Sequence, residues 1–144
     1  MKKVLFDTSV LVPALWSPHV NFSKAFTLLD RAITADIEGF ISQHALLETY
    51  ATLTGMPVRP PLSPSEVNDV LTTLMKSVQV VALDESDYRD VMSFARDHGV
   101  RGGAAYDILH VRAALKCKAD SLATFNLKHF ERLTTGVPLS VFEP

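Results

Sequence analysis

Three carboxylates and one amide, Asp7, Glu48, Asp107 and Asn126, are the side chains whose types and positions could do chemistry together in this sequence. Oxygen ligands with few nitrogens or sulfurs beside them suit Mg²⁺ or Mn²⁺. The reaction such clusters serve is phosphodiester hydrolysis, in which metal activates water, clamps the phosphate and steadies the leaving oxygen. The four are spread along the chain, so only the fold could gather them into one site.

Each has an ordinary reading beside the chemical one. Asp7 follows the apolar run Val4-Leu5-Phe6, and an ionised carboxylate beside a core strand is costly unless paired or metal-bound. Asp7 or Thr8 could equally cap the helix that follows. Glu48 lies at the edge of a stripe formed by Leu47, Tyr50, Ala51 and Thr54, where periodicity alone favours ordinary boundary decoration. At about 100° per residue, Arg112 and Lys116 stand about 40° apart and mark a solvent face, with Asp107 about 140° and 180° from them. Asp107 therefore points inward, as a functional acid or as a structural one taking a hydrogen bond from Tyr106 or a loop amide. Asn126 follows a strand and reads as well as a turn residue. His110, on the face of Asp107, reads better as a packed or hydrogen-bonding histidine than as a ligand. Ser9 lacks a nucleophile-elbow pattern, and no phosphate-binding loop or dinucleotide fingerprint is present.

The elements that must position these residues read as strands alternating with helices. Val4 to Phe6 has no polar alternation, which predicts a central strand buried on both faces. Asn21 or Ser23 opens an amphipathic helix through Phe26, Leu28, Leu29, Ala32 and Ile33. Phe40 to Ser42 is a second strand, and Gln43 to Thr54 a helix stopped by Gly55 and Pro57. Met56 to Leu62 is loop. Ser63, Pro64 and Glu66 form a capping-box start to a helix ending near Lys76. Val78 to Leu83 is a third strand. Asp84 and Asp87 open a helix with Tyr88, Val91, Met92 and Ala95 inward, ended by Gly99. Gly102-Gly103 leads into a helix from Ala104 to Lys118. Leu122 to Phe125 is a fourth strand, a short helix runs through His129, Phe130 and Leu133, and Leu139 to Phe142 forms an edge strand. The alternation predicts an α/β domain with a central parallel sheet of four to five strands flanked by helices. Ligand sites in such sheets lie beyond the carboxyl ends of the strands.

The bulk composition sets the class. A chain of 144 residues, 47% hydrophobic and 21% charged, fits one ordinary domain spanning residues 1–144. No apolar run approaches the roughly 20 residues of a membrane span, and the apolar start is too short for a signal peptide. Cys117 is the only cysteine, excluding an internal disulfide and a thiolate metal cluster. The simplest location is the cytoplasm. The net charge of −2 argues against a simple electrostatic nucleic-acid binder. It is uneven, however: residues 1–95 hold 7 basic and 11 acidic side chains, whereas residues 96–132 hold 7 and 4. A basic C-terminal third could face phosphates while the acids face metal.

The motifs around these acids resemble those of the PIN-domain ribonucleases. Leu5-Phe6-Asp7-Thr8-Ser9-Val10-Leu11-Val12 resembles the family's opening motif, and Leu46-Leu47-Glu48-Thr49-Tyr50 matches its helix glutamate. Gly103-Ala104-Ala105-Tyr106-Asp107-Ile108-Leu109 resembles the third acid motif. Leu122 through Phe130, with Thr124 and Asn126, resembles the fourth. The likeness covers essentially the whole chain, in order. It implies Asp7, Glu48 and Asp107 around Mg²⁺ or Mn²⁺, with Asn126 as the fourth site residue and Ser9 and Thr124 as supporting hydroxyls. The fourth position is commonly Asp; Asn126 removes one negative charge and with it the case for a tightly held second metal. A small stand-alone domain of this kind is similar to VapC-type toxins of toxin–antitoxin pairs. Members cut RNA, leaving a 5′-phosphate and a 3′-hydroxyl, usually form homodimers, and are silenced by a cognate antitoxin protein.

Two other readings stand beside the ribonuclease. One is a catalytically weak PIN-like module that binds RNA or protein, supported by Asn126 and the negative net charge. The other is a phosphatase-like hydrolase, disfavoured because Asp7-Thr8-Ser9 lacks a second Asp two residues on.

Overall fold

The computed structural model describes residues 1–144. Its strands are β1 (Lys3–Phe6), β2 (Glu38–Ser42), β3 (Val78–Val81), β4 (Ser121–Ala123) and β5 (Ser140–Phe142). Its helices are α1 (Thr8–Leu15), α2 (Phe22–Ile33), α3 (Gln43–Gly55), α4 (Pro64–Leu74), α5 (Glu85–His98), α6 (Ala104–Lys116) and α7 (Leu127–Leu133). The strands pair in one wholly parallel sheet, ordered β3-β2-β1-β4-β5. The first strand of the chain is thus the middle of the sheet. Chain order runs away from it in both directions, which makes the gap between β1 and β4 the topological switch point.

The apolar run of β1 follows from this position. Val4 and Phe6 point into the core shared with α1, α2, α3 and α4, while Leu5 points into the core shared with α5, α6 and α7. All three are withdrawn from water, each worth about 2 kcal/mol relative to exposure. In β2, Gly39 lets this packing close. A Cβ there would stand 2.9 Å from Ala32 Cβ and 3.0 Å from both Phe6 Cε2 and Val78 Cγ1.

The capping signals mark helix starts as expected. Ser63 and Glu66 form a reciprocal box at α4, with Pro64 at the first helical position. Asp84 and Asp87 do the same at α5, and Gly99 ends that helix with φ of +65°. Helix α1 carries no such signal. Six of its eight residues are buried and Pro13 lies inside it, so it has no polar face to reveal a helical period.

Several inward faces differ from expectation. In α3 the buried residues are Ala45, Thr49 and Leu53, while Leu47 and Ala51 are exposed. In α2, Ala25, Leu28, Leu29 and Ala32 face in, and Phe26 and Ile33 remain substantially exposed. In α5, Asp87 and Val91 are buried, and Tyr88 and Met92 lie outside. The cause is Asp87: Arg112 Nε at 2.9 Å and Lys116 Nζ at 2.6 Å clamp its carboxylate at the seam of α5 and α6. Hydrogen bonding by Lys116 above all holds the Asp87 carboxyl well below the usual carboxylate range. Arg112 and Lys116 therefore mark a helix–helix seam rather than a free solvent face. Strand β4 stops at Ala123, two residues short of the expected end, although Thr124 N still donates to Phe142 O at 3.0 Å. No helix is long and apolar enough to cross a membrane.

Candidate active site

The register of β1 and β4 sets Phe6 opposite Ala123, and Asp7 N donates to Ala123 O at 3.0 Å. Asp7 and Thr124 thus emerge side by side at the switch point. Asp7 occupies the N-cap position of α1, but its side chain makes no capping bond; its backbone carbonyl accepts from Val10 and Leu11 instead. The capping alternative is excluded. Asp7 Oδ2 accepts from Ser9 Oγ at 2.7 Å and from Thr124 Oγ1 at 2.9 Å. Phe125 N donates to Ser9 Oγ and Asn126 N to Thr124 Oγ1, each at 2.9 Å. Each hydroxyl accepts from the β4–α7 turn while donating to Asp7, so the turn fixes which way both hydrogens point.

Glu48 reaches the same place from α3. Its Oε2 lies 2.9 Å from His44 Nε2, one helical turn back, and its Oε1 lies 4.0 Å from His110 Nε2. The His44 ring lies against Tyr106, centroids 4.9 Å apart and planes within 10°. The stripe expected at Leu47, Tyr50, Ala51 and Thr54 would have put Glu48 on a boundary. The observed face through Ala45, Thr49 and Leu53 instead leaves Glu48 half-buried at the cleft rim.

Asp107 lies in the first turn of α6, entered through Gly102 at φ +61°. It accepts no hydrogen bond from Tyr106, from a loop amide or from any other protein donor; the ring nitrogen His129 Nδ1 lies 3.7 Å away. The structural-acid alternative therefore has no donor behind it. Burial first, and the charge of Asp7 second, push the Asp107 carboxyl above its usual range. Asn126 stands exposed at the N-cap of α7 without a side-chain capping bond. His110 is a buried, hydrogen-bonded histidine as expected, but it faces the acids: its Nδ1 lies 3.0 Å from Ser42 Oγ and its Nε2 3.4 Å from Asp7 Oδ1.

Asp7, Ser9, Glu48, Asp107 and Asn126 all line one open, mostly polar cleft of about 390 Å³. His19 and Asn21 stand on its rim, with His19 Nδ1 accepting from Asn21 N. No three His, Cys, Asp or Glu side chains form a ready cage for a metal ion. The donor chemistry nonetheless fits a hard divalent cation. Asp107 is a half-buried carboxylate with no protein donor, beside like-charged Asp7, and the buried Thr8 Oγ1 in the same cleft has no partner. Mg²⁺ commonly binds through one or two carboxylates, retaining waters and taking further oxygens from substrate phosphate, which an open cleft permits. Sequence reasoning missed His44; its spacing of four from Glu48 on one helix was the available signal.

Fold and cleft together define an open parallel α/β domain with an acidic crevice at its switch point. A family model for the PIN domain matches residues 4–135, and the chain belongs to that family. Ribonuclease VapC40 of Mycobacterium tuberculosis (strain ATCC 25618 / H37Rv) is 33% identical over 136 residues, covering 92% of this chain and 96% of that protein. Ribonuclease VapC27 of the same strain is 31% identical over 120 residues, covering 82% and 80%. Among solved structures, Mycobacterium tuberculosis VapC20, a Sarcin-Ricin loop cleaving toxin, superposes with a TM-score of 0.70 at 16% identity, covering 90% of this chain and 94% of that one. VapBC2 from Rickettsia felis, bound to a DNA fragment from its promoter, does so with a TM-score of 0.67 at 17% identity, covering 99% and 98%. At those identities the structures establish the shared fold.

Proposed function

We propose that this protein is an endoribonuclease of the VapC type, the toxin of a toxin–antitoxin pair, dependent on Mg²⁺ or Mn²⁺. The observation that carries the chemistry is the convergence of Asp7, Glu48 and Asp107 on one cleft, where Asp107 has no protein donor. The similarity to ribonucleases VapC40 and VapC27 supports RNA as the substrate. Solved VapBC assemblies of the same fold support a cognate antitoxin as partner. A homodimer and a cytoplasmic location accompany this reading.

Asp7, Glu48 and Asp107 would hold the divalent cation, which when bound supplies Lewis acidity toward phosphate and attacking water. The chain's own groups do the rest. Ser9 and Thr124 hold Asp7 Oδ2 and leave Oδ1 turned toward the cleft and His110. His44 orients Glu48. Asn126 offers a neutral amide where a fourth carboxylate would add repulsion to the approaching phosphate. Water adds to phosphorus, the bond to the ribose 3′-oxygen breaks, and that oxygen takes a proton. The products are a 5′-phosphate and a 3′-hydroxyl.

Cleavage of a mixed RNA pool in Mg²⁺ or Mn²⁺, lost with EDTA and with Asp7→Asn, is the expected result. A second reading, a weakly catalytic binding module, rests on Asn126 and on the lack of a ready metal cage. RNA binding without cleavage in either metal would favour it.

A further inference from the structure

The acidic cleft does not end at Asp107. The same side chain also walls a second hollow of about 180 Å³, lined by His129, Arg101 and Arg132. Arg132 in turn lines a third hollow of about 240 Å³, which it shares with Phe94 and His98. The three depressions adjoin through shared walls, Asp107 between the first two and Arg132 between the last two. Together they mark a groove from the acids past the start of α6 and helix α7 to the end of α5.

The chemistry changes along it. Arg101 and Arg132 are exposed, and neither takes part in any ion pair. At the far end His98 is exposed, and its ring lies parallel to that of Phe94, centroids 3.9 Å apart and planes within 16°. His98 Nδ1 donates to Phe94 O at 2.9 Å, so the imidazole face is fixed. Unpaired guanidinium groups that track a backbone, followed by a fixed aromatic face, are the combination that binds single-stranded nucleic acid. Of the basic residues in 96–132, Arg101 and Arg132 are the two that line these hollows, whereas Arg112 and Lys116 are held by Asp87.

We infer that this groove is the binding track for single-stranded RNA flanking the scissile phosphate. Arg101 and Arg132 take successive phosphates, and His98, backed by Phe94, stacks a base. The inference rests on the ribonuclease reading and adds to it the direction in which the strand leaves the cleft. His129, beside Asp107, stands where the acidic and basic stretches meet.

The test uses the full chain carrying Asp7→Asn, so that RNA is bound but not cut, and a fluorescent random-sequence single-stranded RNA as probe. Anisotropy titrations are run across a series of salt concentrations. Adding Arg101→Gln and Arg132→Gln together is expected to weaken binding about tenfold and to flatten the log K against log salt slope by about 1.4. Arg101→Lys with Arg132→Lys restores the slope. His98→Ala weakens binding about fivefold through lost stacking. Lys76→Ala leaves binding unchanged, because Lys76 precedes β3 at the opposite end of the sheet. An unchanged affinity, or a loss without change of slope, in the double arginine variant overturns the track. Wild-type cleavage measured in parallel separates the two failures: cleavage with an unaffected double variant overturns only the track, whereas no cleavage and no RNA binding overturns the ribonuclease reading beneath it.

Discussion

His110 Nε2 stands 3.4 Å from Asp7 Oδ1, with the two side chains only 1% and 4% exposed. The other face of this relationship is Ser42, the N-cap of α3. Ser42 Oγ already accepts from Ala45 N at 3.0 Å, so its hydrogen is free to donate to His110 Nδ1. With Ser42 as donor, the ring is held so that Nε2 faces Asp7 and Glu48. The same serine thus caps a helix and holds the histidine that stands beside two of the acids.

Replacing His110 by Ala removes this ring and opens a cavity. The expected cost is about 2–4 kcal/mol in denaturant unfolding. His110→Gln keeps a donor and loses less. If His110 orients the acids as an outer partner of a bound cation, isothermal titration with Mg²⁺ on the Gln variant shows affinity reduced about tenfold to a hundredfold. Equal Mg²⁺ affinity in wild type and Gln variant would leave His110 a packing residue only.

Asp107→Asn should abolish cleavage and raise thermal stability. The folded state holds the Asp107 proton more tightly than the unfolded chain does. Stability is therefore lost as pH rises from the unfolded carboxylate range through the raised folded value. The variant escapes that loss, so its melting temperature exceeds wild type by a few degrees at neutral pH and matches it in acid. Mg²⁺ should raise the wild-type melting temperature and leave that of Asp107→Asn nearly unmoved. A destabilised variant at neutral pH would contradict the repulsion argument.

Thr124→Val keeps the shape of the side chain and removes one of the two hydroxyls on Asp7 Oδ2. It also strips the acceptor from Asn126 N. About 1–3 kcal/mol of stability is expected to go with the buried charge-assisted bond. The cleavage rate should fall because Asp7 is free to turn. Ser9→Ala acts on the same oxygen, and the two losses should be less than additive in a double-mutant cycle.

Asp87→Asn tests the clamp at the α5–α6 seam, remote from the acidic cleft. Its folded carboxyl is depressed, chiefly by hydrogen bonding from Lys116. Its stabilisation is therefore fully present above the unfolded value near 3.8 and lost as pH falls below it. At neutral pH the variant should lose about 2–3 kcal/mol, toward the low side for a buried pair because Arg112 and Lys116 are partly exposed. The gap to wild type should close in acid. Metal-dependent cleavage should survive at temperatures where the variant is folded.

Much of this architecture was legible in the residues. The unbroken apolar run Val4 to Phe6 announced a strand with both faces covered, and the Ser63 and Asp84 capping boxes placed two helix starts. Asp7 and Asp107 could be singled out because a carboxylate beside a buried strand, or on the inner face of a helix, needs a reason. Glu48 stands out only through the motif it resembles, since its helix buries small and polar residues, Ala45 and Thr49, which a hydrophobic stripe does not reveal. The extent of helix α1 is masked for the opposite reason: apolar on every side after Ser9, it has no period. The inward face of α5 departs from its apolar pattern because a salt-bridged Asp87, rather than Tyr88, is what the helix buries. That Arg101 and Arg132 share a hollow with Asp107 depends on three separate stretches meeting in space, and no local pattern encodes it.

The bond from Thr124 to Asp7 joins residues 117 positions apart. β1, the middle strand of the sheet, therefore waits for one of its two neighbours until Ser121–Ala123 have been made. A chain still emerging from the ribosome possesses Asp7, Glu48 and Asp107 but not the turn that fixes the first of them. The cleft is completed by a segment made after all three acids. For a protein read as an agent against its own cell's RNA, this ordering delays the assembled site until residues 124–126 have been made and folded back onto β1.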